Sequence, residues 1–574
     1  MLSPLYLLAA HAPMTFSGLF DSPGLSENKI GWWKLFLALA ALMALFYEAS
    51  REAEGDPVPR RTKLRAAGVF MFAASVCYFQ FFQIGYPEFY HRWEFFHYYM
   101  GSKYFPELGY DGLYKCTAIA ETDLGFAKEV RTRKLRDIGH TNMIVSTADT
   151  LAHPELCKNA FAPAKWEAFK KDVSFFREVS GSGQWWRDMQ TDHGYNPPPV
   201  WGILGWALSW LHPAAAWYMK LLSCIDVVLF ASMFGCVAWA FGWRVVTIGL
   251  VFWGTQGASP FYWTGGAFLR QDWLFYAIVS ACMIRRRKYF WGGAFLTYST
   301  LLRVFPLYFF GGWVVVAIAH AYRVYQRREP GAPFAPFALL HPQLKRVAAG
   351  ALLAGAVLLP ASAAVAGKDA WPAFISHIRV HKDTPVTNHM GWRTIVSHSI
   401  EGRMQVARDN KSQDAFATWK QMRRDRVKEL WYVYYGGIAI ALGMFVYACW
   451  RLKNLWVVQA LGCLLATVLI ELTCYYYSFF IYGAMLSRGR RPIEFALLVC
   501  SVLTQIASVV LYRHTDDKNV GMSIAFLLLA LFMVAMYMRS PFRPAIAATK
   551  LLPIEPEEPS PLAEAMPASV APEA

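Results

Sequence analysis

The chain has 574 residues, of which 56% are hydrophobic, 16% aromatic and only 17% charged, with a formal net charge of +16. Soluble chains carry about 25% charged residues, and here the shortfall is concentrated in recurrent apolar runs such as LFLALAALMALFY, VVLFASMFGCVAWAF and AFLLLALFMVAMYM. That pattern defines a polytopic integral membrane protein and excludes a secreted enzyme, a cytosolic Rossmann-type enzyme and a nucleic-acid-binding module, so the excess of Lys and Arg serves topology.

In chain order, the first apolar run has no basic segment before it and no small-x-small cleavage site after it, and is read as a signal anchor. Apolar spans are predicted at 32–49, 65–86, 216–241, 245–262, 271–285, 289–303, 305–325, 347–367, 430–450, 454–473, 474–487, 492–512 and 519–538. Six basic clusters lie between them: Arg51 to Arg65, Arg285 to Lys288, Arg323 to Arg346, Arg451 to Lys453, Arg488 to Arg491, and Arg539 to Arg543. Short cytoplasmic loops collect Lys and Arg, which places all six inside. The expected fold is an all-α polytopic helical bundle of thirteen crossings, with the N-terminus outside, the C-terminus inside and helical outer loops. Residues 1–64 are an anchor helix with its cytoplasmic loop, and 65–545 the transmembrane domain. Residues 546–574, rich in Pro, Ala and Glu, form a disordered tail.

Two long polar segments, 87–198 and 368–429, then fall outside. The first is too long and too patterned for a connector. Within it, PAKWEAFKKDVSFFREV spaces Trp166, Phe169, Val173 and Phe176 along one helical face. PPPVWGILGWALSWL (197–211) is apolar and Trp-rich but short, and is read as an interfacial or re-entrant helix. Of the ten Cys, only Cys116 and Cys157 lie in a polar stretch. They pair as a disulfide in an oxidising compartment and stay thiols otherwise.

The exit of the second span, HRWEFFHYYMGSKYF, puts Glu94, His97, Tyr98 and Tyr99 at the membrane boundary, where a carboxylate can reach a lipid headgroup. The alternative is that Glu94 pairs with Arg92 or Lys103 on a solvated face. Arg303, beside a Pro-broken apolar run, faces a cavity or snorkels to the interface. Arg270 either meets a ligand or pairs with Asp272 across an outer loop. Asp192 with His193 forms a second candidate pair, or caps a turn. His377 and His381, at i and i+4, share a helical face near His389 and His398, but no third metal ligand has a fitting spacing. A Walker A motif, a dinucleotide-binding Gly pattern and Gly-x-Ser-x-Gly do not occur.

Glu94-Phe95-Phe96-His97-Tyr98-Tyr99 followed by Gly109-Tyr110-Asp111-Gly112-Leu113-Tyr114 resembles the start of the first outer loop in GT-C-class glycosyltransferases, especially the polyprenyl-phosphate-mannose-dependent mannosyltransferases. Tyr195-Asn196-Pro197-Pro198-Pro199 is similar to that family's Tyr-x-Pro-Pro at the return to the membrane, and Thr387-Asn388-His389-Met390-Gly391-Trp392 to an acceptor-side motif in the second outer loop. The family usually has Asp where this chain has Glu94, and its plan does not require the span at 32–49. The resemblance implies sugar transfer from a polyprenyl-phosphate donor to a lipid, glycan or protein acceptor at the outer face, without nucleic acid. It implies a multi-pass protein of a bacterial inner membrane, its site facing the periplasm. Catalysis falls to Glu94 as general base, with Asp192 as a second carboxylate. Arg270, Arg303, Arg379, Lys382 and Arg393 hold the donor phosphate. His97, Tyr98, Tyr99, His193, Tyr195, Asn388 and His389 contact substrate. No cofactor or resident metal is expected, although a divalent cation fits the chemistry. The competing reading is a transporter or flippase for a lipid-linked or small polar solute, which requires midplane charges and repeated, broken helices.

Overall fold

A computed structural model describes residues 27–82, 89–139, 141–181, 183–328, 336–382 and 384–539. The expected disordered tail at 546–574 and the first 26 residues lie outside them. The described chain is almost entirely helical, with two short antiparallel ladders.

The main helices in the first half are α1 (Glu27–Ala53), α2 (Arg60–Tyr78), α3 (Arg92–Lys103), α4 (Gly112–Glu121), α5 (Pro163–Val179), α6 (Pro199–Trp210), α7 (Ala216–Phe241) and α8 (Trp243–Thr255). They continue with α9 (Asp272–Arg285), α10 (Tyr289–Leu302), α11 (Gly311–Gln326), α12 (Pro342–Ala366), α13 (Ala370–Lys382), α14 (Trp431–Arg451), α15 (Pro492–Val510) and α16 (Thr515–Met538). Among the described residues seven helices are long and apolar enough to cross a bilayer: Lys29–Ala53 in α1, α7, Phe305–Gln326 ending in α11, α12, α14, α15 and α16. The other predicted spans hold shorter helices such as α8, α9, α10 and Leu455–Leu469 or, in α2, a strongly basic start.

The described members of all six basic clusters gather at one end of the bundle. Arg491 and Lys63 both meet Glu52. Arg488 donates to Phe241 O at 2.7 Å, and Arg286 donates to Trp239 O two residues away. Arg285 lies over the Trp456 ring, Arg323 bonds Trp450 O, and Arg451 donates to Met538 O at 3.1 Å, one residue before Arg539. The charges that the sequence assigns to one side therefore share one side in three dimensions.

The segments predicted to lie outside form the opposite end. In α5, Trp166, Phe169, Val173 and Phe176 are all buried, as their spacing predicts. Phe176 and Trp186 pack on Phe96 of α3, which ties α5 to the first outer helix. Glu121, with no exposed surface, accepts from Arg133 and from Arg177 and Trp186 at 2.6 and 2.7 Å, so its buried charge is compensated. Cys116 and Cys157 are joined in a disulfide. Pro199 opens α6, where a fixed φ suits the first helical turn. This helix buries Trp201 and leaves Leu204 and Trp210 exposed, the two-faced pattern expected at an interface. The second outer segment is pinned to the bundle by pairing His389 with Thr473 and Met390 with Leu472. That ladder brings Asn388 and His389 beside the Tyr475–Tyr477 run, which Cys474 N reinforces by donating to Asn388 O at 2.8 Å.

Candidate functional site

The candidate site starts at the N-terminus of α3. His91 caps the helix: its Nδ1 accepts from Glu94 N–H at 3.4 Å while its Nε2–H donates to Tyr262 O at 3.0 Å. Burial pushes the His91 pKa below the usual histidine value, which suits this pair of roles. Glu94 thus occupies the first helical turn, where the helix dipole favours a carboxylate.

Glu94 pairs with neither Arg92 nor Lys103. Arg92 is held by Val179 O, and Lys103 by Asp172. Glu94 Oε2 instead meets Arg270 Nε at 2.9 Å. Arg270 comes from the loop between α8 and α9, and only 3% of it is exposed. It also donates to the Tyr98 hydroxyl and, at 2.9 Å, to the Tyr475 hydroxyl, and its guanidinium lies 4.4 Å from the Tyr98 ring centroid. The expected Arg270–Asp272 loop pair is absent among the described residues: Asp272 accepts from Trp273 N at 2.7 Å, at the start of its own helix. Arg303 follows the last residue of α10 in extended backbone. It is buried, with its charge 5.7 Å from the Tyr98 ring and 5.8 Å from the Trp201 ring. Its Nη1 donates to Leu302 O at 2.7 Å, whereas Nη2 has no hydrogen-bond partner among the described residues. Tyr195 completes this wall, its ring 6.2 Å from Tyr98 and 5.8 Å from Trp201. Glu94, Tyr98, Tyr195, Arg270 and Arg303 are thereby brought together from four separate stretches of chain.

A second polar grouping adjoins the first through Trp93, which donates to Asp192 Oδ2 at 2.6 Å. Arg136 fixes the Asp192–His193 loop by donating to the carbonyls of Thr191 and Asp192, at 2.9 and 3.1 Å. The His193 ring faces His381 at 5.7 Å. Burial first, then Arg136, His381, Lys420 and His389 around it, push the His193 pKa well below the usual histidine range. Among the described residues the buried Nδ1 of His193 and Oδ1 of Asn388 lack hydrogen-bond partners. This grouping therefore joins both outer segments around hydrogen-bonding groups, with Arg136 and Lys420 balanced by Asp192 and Asp414.

Other sequence candidates stand apart. His97 satisfies both ring nitrogens, against Trp93 O at 2.8 Å and the Tyr114 hydroxyl at 2.6 Å. Tyr99 donates to His212 O, beyond the first outer segment, and receives from Lys103. Both are packing residues here. Arg379 and Lys382 lie exposed on α13. Arg393 and His389 approach Glu471 Oε2 at 4.0 and 3.5 Å, beside Arg423 at 3.5 Å from Oε1. Among the described residues no three His, Cys, Asp or Glu side chains group as metal ligands. Sequence reasoning passed over Tyr475, hidden in the apolar-looking CYYYSFF run, and Asp226, whose carboxylate accepts from Arg270 N at 3.0 Å and Gln271 N at 3.3 Å. The hydroxyl-bearing Tyr triplet and a lone Asp inside an apolar span were the available signals.

His377 ties α13 to the Pro-rich return, its Nε2 2.6 Å from Asn196 Oδ1 and its ring stacked 4.8 Å from Tyr110. Burial pushes its pKa down to about 4. Because the unfolded value is higher, at ~6.5, the unfolded chain binds more protons between those limits, and stability falls as pH drops through that window. The penalty reaches about 3 kcal/mol below pH 4. The variant His377→Phe is expected to flatten the dependence of Tm on pH between about 6.5 and 4, read by thermal unfolding of the purified protein. A slope equal to the wild type would show that His377 is not buried neutral.

Compared with known proteins, the chain matches no family model, no curated protein and no solved structure.

Proposed function

We propose that the protein is a GT-C-type membrane glycosyltransferase, transferring a sugar from a polyprenyl-phosphate-linked donor to a lipid, glycan or protein acceptor at the outer face of the membrane. The observation that carries this reading is Arg303: a buried guanidinium with one unpartnered N–H group, beside the Glu94–Arg270 pair at the junction of bundle and outer segments. A buried cation with unused donors is costly unless an anion completes it, and a phosphate at the head of a lipid fits both that charge and that depth.

In this reading the acceptor hydroxyl gives its proton to Glu94 as its oxygen bonds the anomeric carbon. The bond from that carbon to the donor phosphate breaks, and the phosphate leaves with the electron pair. Arg303 and Arg270 stabilise the departing charge, and Tyr98 and Tyr475 hold Arg270 in place. Tyr195 and Trp201 offer ring faces for the sugar. The grouping around Asp192, His193, His381 and Asn388 receives the acceptor. The proposed topology has thirteen crossings, with the short helices packed among the seven long ones. Gathering of the basic clusters at one end supports a cytoplasmic face there, and the disulfide at the other supports an oxidising compartment such as a periplasm.

The test is binding of a short polyprenyl phosphate to the purified protein. The variant Arg303→Gln is expected to weaken it about ten- to hundredfold, as loss of a charge-assisted hydrogen bond requires, with Arg303→Lys retaining part of the affinity. Equal binding by wild type and Arg303→Gln would remove the main support for a lipid-phosphate donor.

A further inference from the structure

The grouping that joins the two outer segments combines indole faces with hydrogen-bonding atoms left unused. Trp93 and Trp185 lie side by side, ring centroids 6.2 Å apart and planes tilted by 40°, both half-buried rather than enclosed. The Trp93 indole N–H is tied to Asp192, and Trp93 immediately precedes Glu94 in α3. Asn388 is 8% exposed, and its Oδ1 has no hydrogen-bond partner among the described residues. It precedes His389, one of the groups around His193, whose own Nδ1 is likewise buried without a partner among them. A buried polar atom without a partner costs about 1–3 kcal/mol, which a hydrogen-bonding ligand would offset.

The origin and charge of these side chains narrow what they bind. Trp93, Trp185, Asp192 and His193 belong to 87–198, His381 and Asn388 to 368–429, and none lies on a membrane-spanning helix, so their ligand is in water rather than among lipid tails. The two segments are held together here by Asn142 Nδ2, which donates to Thr384 Oγ1 at 2.9 Å, and by Lys134 Nζ, which donates to Gln413 O at 3.0 Å. The cations are matched: Lys420 meets Asp414 at 2.8 Å, and Arg136 is attracted by both Asp414 and Asp192. Balanced charge gives no preference for an anionic headgroup or a cationic side chain. Indole faces beside neutral hydrogen-bonding atoms suit a ring with apolar C–H faces and a rim of hydroxyls.

We infer that the acceptor is a neutral glycan, free or attached to a lipid anchor, its terminal sugar packed on Trp93 and Trp185 and hydrogen-bonded by Asp192, His193, His381 and Asn388. The inference rests on the proposed transfer reaction and narrows its acceptor to one chemical class. Because Trp93 adjoins Glu94 in α3, a sugar held on the indoles brings its hydroxyls toward the proposed base.

The full chain, purified in detergent, is tested by saturation-transfer NMR against neutral trisaccharides of glucose, mannose, galactose and arabinose, against glycerophosphoglycerol as a lipid headgroup, and against a short peptide rich in Ser and Thr. At least one trisaccharide is expected to draw saturation from the protein, and the headgroup and peptide none. Trp185→Ala is expected to bind that trisaccharide about three- to tenfold more weakly, with Trp185→Phe keeping most of the affinity, as loss and rescue of a stacking face require. Asn388→Ala is expected to weaken binding by about three- to tenfold with little change in Tm, because Oδ1 has no partner to lose among the described residues. Binding of no trisaccharide, or of the peptide or glycerophosphoglycerol instead, would overturn the acceptor class. Trisaccharide affinity untouched in both Trp185→Ala and Asn388→Ala would overturn its place. Polyprenyl phosphate binding, measured on the same preparation, separates this inference from the donor reading: sugar binding without lipid-phosphate binding contradicts the donor alone, and the reverse contradicts the glycan site alone.

Discussion

Replacing Glu94 by Gln is expected to lower sugar transfer about 10²–10⁴-fold, the usual range for removal of a general base, with the protein still folded. The swap keeps the size of the side chain and its place in the first turn of α3. It also leaves Arg270 its bonds to Tyr98 and Tyr475, although removing the paired carboxylate lowers stability. The loss should therefore appear in kcat, with donor affinity nearly unchanged, because the phosphate contacts come from Arg303 and Arg270. A steady-state comparison with thermal unfolding alongside decides the matter. Transfer by Glu94→Gln at the wild-type rate would move the base elsewhere, with Asp192 the next carboxylate in reach of the same wall through Trp93.

Lys103→Met is expected to destabilise the first outer segment by about 3–5 kcal/mol, the cost of stranding a buried charge. Lys103 Nζ meets Asp172 Oδ2 at 2.7 Å, with side chains 7% and 2% exposed. The same carboxylate accepts from the Tyr104 hydroxyl at 2.7 Å and from Ala214 N at 2.8 Å, so it joins α3, α5 and the entry to α7. The double change Lys103→Met/Asp172→Leu should recover part of the loss, since removing both charges removes the stranded one. Unfolding of the detergent-purified variants measures both effects. A Lys103→Met protein as stable as wild type would show that the pair is solvated rather than buried.

Fold class was the most legible property, because apolar runs and basic clusters encode crossings and sides almost directly. The amphipathic face of α5 was equally plain, since Trp166, Phe169, Val173 and Phe176 need only their spacing to be read. The partners of charged residues were not legible. Glu94 had nearby candidates in Arg92 and Lys103, yet its partner is Arg270, nearly two hundred positions away in sequence and delivered by the loop between α8 and α9. That loop is held by Asp226 from within α7, a tertiary contact that no local pattern announces. His97 and Tyr99 stand within a few residues of Glu94, but helical geometry turns them into the packed interior, where Tyr114 and His212 take their polar atoms. Lengths were legible as well: the apolar runs at 271–285 and 289–303 hold α9 and α10, of 14 residues each, shorter than a straight crossing.

Sugar transfer from a lipid-linked donor is tested most directly by incubating purified wild-type protein with radiolabelled sugars carried on a panel of polyprenyl phosphates, together with a membrane lipid extract as acceptor. Labelled product is expected from at least one donor. Absence of both transfer and donor hydrolysis across the panel would contradict it and favour a transporter of lipid-linked or small polar solutes.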